Sequence, residues 1–150
     1  MKTHKPKAVI DPEKAQKFFE NKVKFTLGPT DLKHRIDDGQ APKLFDVRAA
    51  KDFEKGHIPG AVSLPDSKWG SYDQLSKSEV NIFYCYTPYC HLAAKAAAHF
   101  AAEGFPVMEL DGGIQAWREY GFHVTGLEDG QEHGLKGRPE AEPGDQRVPA

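Results

Sequence analysis

The sequence predicts an α/β domain with a parallel β-sheet covered by helices on both faces. Short apolar runs typical of buried strands, at 43–47, 61–64, 80–84 and 106–110, alternate with segments of helical periodicity. Parallel strands need long crossover connections, usually helices, so this alternation favours a parallel sheet. The length of 150 residues is that of one ordinary domain.

The first two helices are predicted from their start signals. Asp11 is a typical N-cap residue and Pro12 follows it at the first helical position. A second helix begins at 29–31 and ends before Gly39. The apolar residues assigned to these two helices are Phe18, Phe19, Val23, Leu32 and Ile36.

The middle of the chain is predicted to contain three strands. The run 43–47 is followed by a short helical turn at 49–55 and by a strand at 61–64. A polar stretch with a short helix at 72–75 leads to 80–84, where β-branched and aromatic residues give the clearest strand character.

The alternation continues after the strand at 80–84. A long helix is expected from about His91 to Ala102, because its apolar residues recur at helical spacing and Gly104 follows as a stop signal. A strand at 106–110 and a short helix at 114–120 complete the pattern. The apolar face of the long helix consists of Leu92, Ala93, Ala96, Ala97, Phe100 and Ala101.

Composition excludes several classes of function. The net charge of −2 provides no basic excess for nucleic-acid binding, and no segment approaches the roughly 20 apolar residues of a membrane span. The basic N-terminus has no apolar segment behind it, so we expect a cytoplasmic protein with reduced thiols. From residue 126 onward the chain is rich in Gly and Pro with few large apolar residues, which is typical of a mobile tail.

The chain contains two cysteines, Cys85 and Cys90. Two cysteines cannot form the framework of a disulfide-rich scaffold or a structural zinc site by themselves. A metal site built from these two and His91 lacks the paired spacing of known zinc motifs, so we expect no metal. The cysteines are therefore candidates for chemistry.

Cys85 lies at the carboxyl end of the clearest strand, where open α/β sheets bind ligands. The loop after it leads into a helix N-terminus, whose backbone N–H groups and dipole favour a bound anion and lower the pKa of a thiol. Cys85 is either a buried structural residue or a nucleophile toward electrophilic sulfur. The predicted binding loop consists of Tyr86, Thr87, Pro88, Tyr89, Cys90 and His91. Its residues Tyr86 and Tyr89 either line the rim of the pocket or are exposed aromatics.

Four sequence fragments, taken in order, resemble a known family. They are Asp46-Val47-Arg48, Phe53-x-x-Gly56-His57-Ile58-Pro59-Gly60-Ala61, Tyr84-Cys85 and Gly112-Gly113-Ile114-x-x-Trp117. Together they resemble a single rhodanese-type sulfurtransferase domain over about residues 25–124. The resemblance implies a rhodanese-like fold, a five-stranded parallel sheet with helices on both faces. Residues 1–24 would form an N-terminal arm and helix, and 125–150 a mobile polar tail.

The resemblance also implies an activity. Cys85, at the family's catalytic position, would take sulfane sulfur from a small sulfur-containing anion such as thiosulfate or from a protein persulfide. The resulting persulfide, cradled by backbone N–H groups of the loop from Cys85 to Cys90, would pass its sulfur to cyanide or to a thiol acceptor. No metal or organic cofactor is implied, and neither a nucleic acid nor a membrane is expected as a partner.

Other fragments have mainly structural interpretations. Arg48 follows a strand on the same side of the sheet as the loop, and either attracts an anion or forms a salt bridge. His57 is expected to bond to the backbone and fix a turn. Gly112 and Gly113 would supply conformations that a side chain blocks, and Trp117 would belong to the core.

The loop departs from the family pattern at the fifth residue after Cys85. Many active rhodaneses carry Arg or Lys there, whereas Cys90 occupies this position and residues 86–90 contain no cation. A weakly charged donor or a partner-delivered persulfide is therefore favoured over a dianion. The related phosphatases and arsenate reductases are disfavoured, because they need an Arg at the sixth position, where this chain has His91.

Two roles stay open for Cys90, and two alternatives for the function. Cys90 is either a small residue at the helix start or a resolving thiol that attacks the Cys85 persulfide. The first functional alternative is a thiol–disulfide redox module that uses both cysteines. The second is a non-catalytic rhodanese-like regulatory or binding domain, which the retained Cys85 disfavours and the missing loop cation favours.

Overall fold

The computed structural model describes residues 9–127, which contain a five-stranded sheet in the order β1-β5-β4-β2-β3. The strands are β1 (Thr26–Leu27), β2 (Lys43–Asp46), β3 (Val62–Ser63), β4 (Asn81–Tyr84) and β5 (Val107–Leu110). The helices are α1 (Pro12–Phe25), α2 (Pro29–Asp37), α3 (Ala50–Lys55), α4 (Leu92–Ala102) and α5 (Gly113–Glu119). Neighbouring strands are parallel throughout, which confirms the predicted fold class.

Different helices cover the two faces of the sheet. On one face, Ile82 and Tyr84 of β4 belong to a buried cluster with residues of α2 and α5. On the other face, Phe83 stacks on Phe100 of α4 with ring centroids 5.5 Å apart. Because side chains alternate along a strand, Cys85 continues the Phe83 face and belongs to the cluster against α4. The cysteine is thereby positioned between the central strand and the long helix.

Strand β1 carries no signal in the sequence. It has two residues, too few for a periodic pattern, and follows α1 directly. Its partners are Glu109 and Leu110 of β5, and the N–H of Asp111 donates to the carbonyl of Leu27 at 2.8 Å. This pairing fixes the carboxyl end of β5, which borders the candidate site.

The segment between β3 and β4 differs from prediction. The helix expected at 72–75 is absent, and a 3₁₀ helix, η1, spans Asp66–Ser71 instead. The indole N–H of Trp69 donates to the carbonyl of Leu64 at 2.9 Å and holds this turn against β3. Local hydrogen bonding of the tryptophan therefore places the helical turn earlier than the sequence pattern indicates.

Two helices bury fewer of their apolar residues than a packed amphipathic helix does. Helix α1 begins as predicted, with Asp11 accepting from the N–H of Glu13 at 3.0 Å, yet none of its residues is buried. Along α4, Ala93, Ala96 and Phe100 are buried, whereas Ala101 is exposed. No helix in the described part of the chain is both long and apolar enough to cross a membrane.

The first residues of the predicted tail pack on the domain. Thr125 and His57 form an antiparallel bridge with two N–H···O bonds of 2.8 Å, and the N–H of Leu127 donates to the carbonyl of Glu54 at 2.9 Å. The rest of the predicted tail, 128–150, and residues 1–8 of the predicted arm lie outside the described residues.

Candidate active site

Three loops meet at the carboxyl edge of the sheet. Cys85 follows β4, Arg48 lies just after β2, and Gly112 and Gly113 follow β5. These strands are adjacent and parallel, so their ends share one edge. Cys85 is buried at this edge, with 2% of its surface exposed.

Cys85 and Cys90 are joined by a disulfide that closes the loop, with their Cα atoms 6.5 Å apart. The N–H of Cys90 donates to the carbonyl of Thr87 at 3.2 Å, and this turn brings the two cysteines within the Cα separation of ordinary disulfides. The expectation that both thiols are reduced is therefore wrong for this structure. Cys90 is partly exposed, whereas Cys85 is buried.

The cysteine loop is held by the start of α5. The N–H of Ile114 donates to the carbonyl of Cys85, and the N–H of Gln115 to that of Tyr86, each at 3.0 Å. Gly113 has a φ of +63°, and a Cβ there would lie 2.7 Å from the Cys85 carbonyl oxygen. The predicted role of the glycine pair is confirmed at Gly113, since a side chain would prevent this close approach.

The loop leads into the N-terminus of α4 without a side-chain cap. The N-cap residue is His91, whose side chain makes no capping hydrogen bond. The first-turn N–H groups of a helix lack acceptors within the helix, and the dipole adds positive potential. Residues 85–91 contain no Lys or Arg, so no side chain of these two types adds positive charge within this loop.

A small cavity of about 20 Å³ lies beside the disulfide, which is room for about one water molecule. Its lining includes both cysteines and the acidic residues Glu109 and Asp111. Burial raises the pKa of Glu109, Asp111 raises it further, and His91 opposes the shift. Two carboxyl groups therefore lie next to the cysteines, and the charge of Asp111 disfavours ionisation of Glu109.

The sequence interpretation missed Glu109 and Asp111. Both lie at the carboxyl end of β5, and the same strand-end rule that singled out Cys85 applies to them. The neighbouring position of β5 and β4 was needed to connect the carboxylates with the cysteines. Among residues 9–127, no three His, Cys, Asp or Glu residues are grouped so as to hold a metal ion.

Replacing Glu109 by glutamine is expected to change stability in a pH-dependent way. A carboxyl group whose pKa is raised on folding disfavours the native state once it ionises, so the stability gained by Glu109→Gln is smallest below its ordinary pKa of 4.5. The gain grows as the pH rises through the native pKa. Urea unfolding at several pH values between 4 and about 8 measures this dependence.

The control for this prediction is Glu54→Gln, which removes a carboxylate from an exposed position on α3. Its effect on stability is expected to stay small across the same pH range. If Glu109→Gln gave no greater gain at neutral than at acidic pH, the acidic character assigned to the cavity would be wrong.

Arg48 forms a buried ion pair with Asp46. Its Nη2 and Nε atoms donate to the two carboxylate oxygens at 2.7 and 3.0 Å, and Nη2 also donates to the carbonyl of Gly56 at 2.6 Å. Burial acts to lower the pKa of Arg48, but the hydrogen bonds and charge of Asp46 outweigh it, so the pKa is raised overall. Of the two roles predicted for Arg48, the geometry supports the salt bridge and not an unpaired cation that faces the loop.

Tyr86 and Tyr89 differ in their surroundings. The hydroxyl of Tyr86 donates to Asp52 Oδ2 at 2.5 Å and accepts from the N–H of Ala49 at 3.3 Å, which ties the loop to α3. The guanidinium of Arg48 lies 5.6 Å from the Tyr86 ring centroid. Tyr89 is 88% exposed. Tyr86 therefore supports the loop, and Tyr89 projects from it.

The remaining predicted positions are structural. His57 Nδ1 lies 2.8 Å from the carbonyl of Phe53, and the two rings stack with centroids 3.8 Å apart. The predicted backbone bond of His57 is thereby confirmed. Trp117 is buried, as predicted for the core, and Tyr84 is buried with its hydroxyl accepting from the N–H of Ile58 at 3.1 Å.

A sheet of five parallel strands with a cysteine loop after its central strand corresponds to the class of domain that the sequence fragments resemble. The sequence profile described as rhodanese-like domain matches residues 28–120. The chain therefore belongs to the rhodanese-like domain family.

Curated relatives include proteins with different names. A thiosulfate sulfurtransferase GlpE from Pseudomonas savastanoi is 31% identical over 83 residues, which is 53% of this chain and 74% of the relative. A probable adenylyltransferase/sulfurtransferase MoeZ from Mycobacterium tuberculosis is 33% identical over 96 residues, covering 61% of this chain and 24% of the relative. An HTH-type transcriptional regulator from the same organism is 32% identical over 95 residues, which cover 63% of this chain and 42% of the relative. The chain thus spans less than half the length of the last two.

Solved structures confirm the rhodanese-like fold. The BH2092 protein from Bacillus halodurans is similar with a TM-score of 0.70 and 38% identity, covering 78% of this chain and 88% of that one. A rhodanese-related protein from Thermoplasma volcanium has a TM-score of 0.61 and 25% identity, and the match covers 69% of this chain and 99% of that one.

Proposed function

We propose that this chain is a sulfurtransferase that carries sulfane sulfur as a persulfide on Cys85. The observation that carries the proposal is the placement of Cys85 at the carboxyl end of β4, in a loop that leads into the uncapped N-terminus of α4. The backbone N–H groups and the helix dipole at such a position favour a thiolate. Membership of the rhodanese-like family and the names of two sulfurtransferase relatives support it.

The proposed transfer has two steps. The reduced Cys85 thiolate attacks the outer sulfur of the donor, the sulfur–sulfur bond of the donor breaks, and the leaving group departs with the electron pair. With thiosulfate the leaving group is sulfite, and Cys85 then holds a persulfide anion. An acceptor thiolate attacks the outer sulfur of this persulfide and regenerates the Cys85 thiolate.

The charges around the loop favour a singly charged donor over a dianion. Residues 85–91 contain no Lys or Arg, and Arg48 is paired with Asp46. Glu109 and Asp111 line the adjacent cavity and repel anions. We infer that the donor is a monoanionic sulfane compound or a persulfide on a partner protein, and that the acceptor is a thiol.

The disulfide implies that the protein must be reduced before it accepts sulfur, because Cys85 has no free thiol in this state. Protein treated with a phosphine reductant and then freed of it is therefore the starting material for any sulfur-transfer measurement. Benzenethiosulfonate is a suitable donor, since it carries one negative charge and leaves as benzenesulfinate.

The test compares Cys85→Ser with Cys90→Ser, two variants that each keep one thiol. After reduction and treatment with benzenethiosulfonate, Cys90→Ser is expected to gain one cyanide-labile sulfur per chain, because the nucleophile is retained. Cys85→Ser is expected to gain less, because its remaining thiol, Cys90, is partly exposed and lies outside the buried position of Cys85. Equal uptake by the two variants, or uptake by neither while both remain folded by circular dichroism, would refute the proposal.

The disulfide favours a second candidate function, a thiol–disulfide redox module. In that case the reduced protein would take up no sulfane sulfur from the donor, whereas the oxidised protein would exchange its disulfide with external dithiols. The measurement of cyanide-labile sulfur on Cys90→Ser separates the two candidates, because only the sulfurtransferase requires uptake.

A further inference from the structure

We infer that Cys90 resolves the Cys85 persulfide, so that the protein releases hydrosulfide and is left with the Cys85–Cys90 disulfide. The inference rests on the proposed function, because it needs a persulfide on Cys85. Besides passing sulfur to an acceptor, the protein would thus also release it in reduced form, as hydrosulfide. The observation behind it is that the two cysteines of the chain are bonded to each other across the loop that would hold the persulfide.

The position of Cys90 suits it to this attack. It immediately precedes His91, the N-cap of α4, and the dipole of an 11-residue helix favours a thiolate there. The turn in which the N–H of Cys90 donates to the carbonyl of Thr87 keeps the loop closed, so Cys90 is held within reach of Cys85. No backbone rearrangement beyond the observed loop is needed to form the bond.

The proposed step is balanced without an additional oxidant or reductant. The Cys85 persulfide anion first takes a proton from water. The Cys90 thiolate then attacks Cys85 Sγ, and a bond forms between the two cysteine sulfurs. The bond from Cys85 Sγ to the outer sulfur breaks, and the outer sulfur leaves as hydrosulfide with the electron pair and its proton. The sulfane sulfur is thereby reduced to sulfide, and the two cysteines are oxidised to the disulfide.

The residues around the disulfide favour the departure of hydrosulfide. The cavity beside the disulfide is lined by Glu109 and Asp111, and the loop itself offers no Lys or Arg to retain an anion. Hydrosulfide is an anion near neutral pH, so like-charge repulsion opposes its retention beside these carboxylates. The same charges that disfavour a dianionic donor therefore assist sulfide release.

Reduction of the disulfide back to two thiols requires an external dithiol. The exposure of each cysteine determines which sulfur the dithiol attacks. Cys85 is 2% exposed, whereas Cys90 is partly exposed. A dithiol that attacks Cys90 Sγ releases the Cys85 thiolate and forms a mixed disulfide on Cys90. The second thiol of the reductant then frees Cys90, and the protein can accept sulfur again.

The experiment follows sulfide and intact mass in the same sample. Reduced wild type and reduced Cys90→Ser, both freed of reductant, receive one equivalent of benzenethiosulfonate, which contains no sulfide. The wild type is expected to release about one hydrosulfide per chain and to reach the mass of its disulfide form, as the resolving attack requires. Cys90→Ser is expected to keep the added sulfur and to release no sulfide above the reagent blank.

Two other outcomes are distinguishable. If both proteins gained sulfur and the wild type kept it without releasing sulfide, the resolving role of Cys90 would be refuted while the sulfurtransferase proposal stood. If neither protein gained sulfur although both remained folded, the proposed function would fail and this inference with it.

Discussion

Replacing Arg48 by methionine is expected to lower the free energy of unfolding by roughly 3–5 kcal/mol, the cost of leaving a buried charge without its partner. Asp46 is fully buried and Arg48 is 5% exposed, so water cannot replace the lost guanidinium. The substitution also removes a donor from the carbonyl of Gly56, which lies 2.6 Å from Arg48 Nη2. Methionine retains most of the side-chain volume, so the effect reports charge rather than a cavity.

The matched control is Lys33→Met, which breaks an ion pair on the surface. Lys33 Nζ lies 2.6 Å from Asp37 Oδ2 on the same helix, and the two side chains are 30% and 53% exposed. Such pairs contribute less than about 1 kcal/mol, so this variant should unfold nearly as the wild type does. Urea unfolding at neutral pH, followed by circular dichroism, compares the two. Equal losses would show that leaving Asp46 without its partner costs no more than breaking a surface pair.

Replacing Gly113 by alanine is expected to destabilise the fold by roughly 2–4 kcal/mol, combining backbone strain at positive φ with the loss of hydrogen bonds to the loop. The added Cβ would lie 2.7 Å from the Cys85 carbonyl oxygen and 2.9 Å from the Tyr86 carbonyl carbon. Both are backbone atoms, so the cysteine loop must move away from α5. When both proteins also carry Cys90→Ser, so that the persulfide is retained, sulfur uptake should fall together with stability.

Gly39→Ala is the control for this substitution. Gly39 has a φ of +73°, close to that of Gly113, but a Cβ there meets nothing within 4 Å. Its cost should be limited to the backbone strain of about 1–2 kcal/mol, and sulfur uptake in the same Cys90→Ser background should be unchanged. Equal losses of stability and uptake in the two variants would show that the contact with the loop is unimportant.

The position of the candidate nucleophile could be predicted because it depends on a single strand and on the residue directly after that strand. The run 80–84 is unambiguous, and the first residue after a parallel strand lies at the ligand-binding edge. The acidic residues of the cavity beside Cys85 could not be predicted as its neighbours in the same way. Glu109 and Asp111 become neighbours of the cysteines only once β5 is placed beside β4, and strand order cannot be derived from local pattern.

The structure was also needed to show whether the two cysteines are free thiols or bonded to each other. A spacing of five residues allows either two free thiols or a bond, since the turn within the loop decides whether the Cα atoms come close enough. The turn at Thr87 and Cys90 supplies that approach. The exposure of α1 could not be predicted either: its apolar residues are those of a packed helix, yet Phe18 and Phe19 are 62% and 58% exposed.

The most direct test of the persulfide proposal is fragment mass spectrometry of Cys90→Ser after reduction and treatment with benzenethiosulfonate. This variant has one cysteine, so the sulfur has a single thiol to occupy. We expect one added sulfur atom on the peptide that contains Cys85, and its removal by cyanide as one equivalent of thiocyanate. A folded variant whose Cys85 peptide keeps its original mass would contradict the proposal.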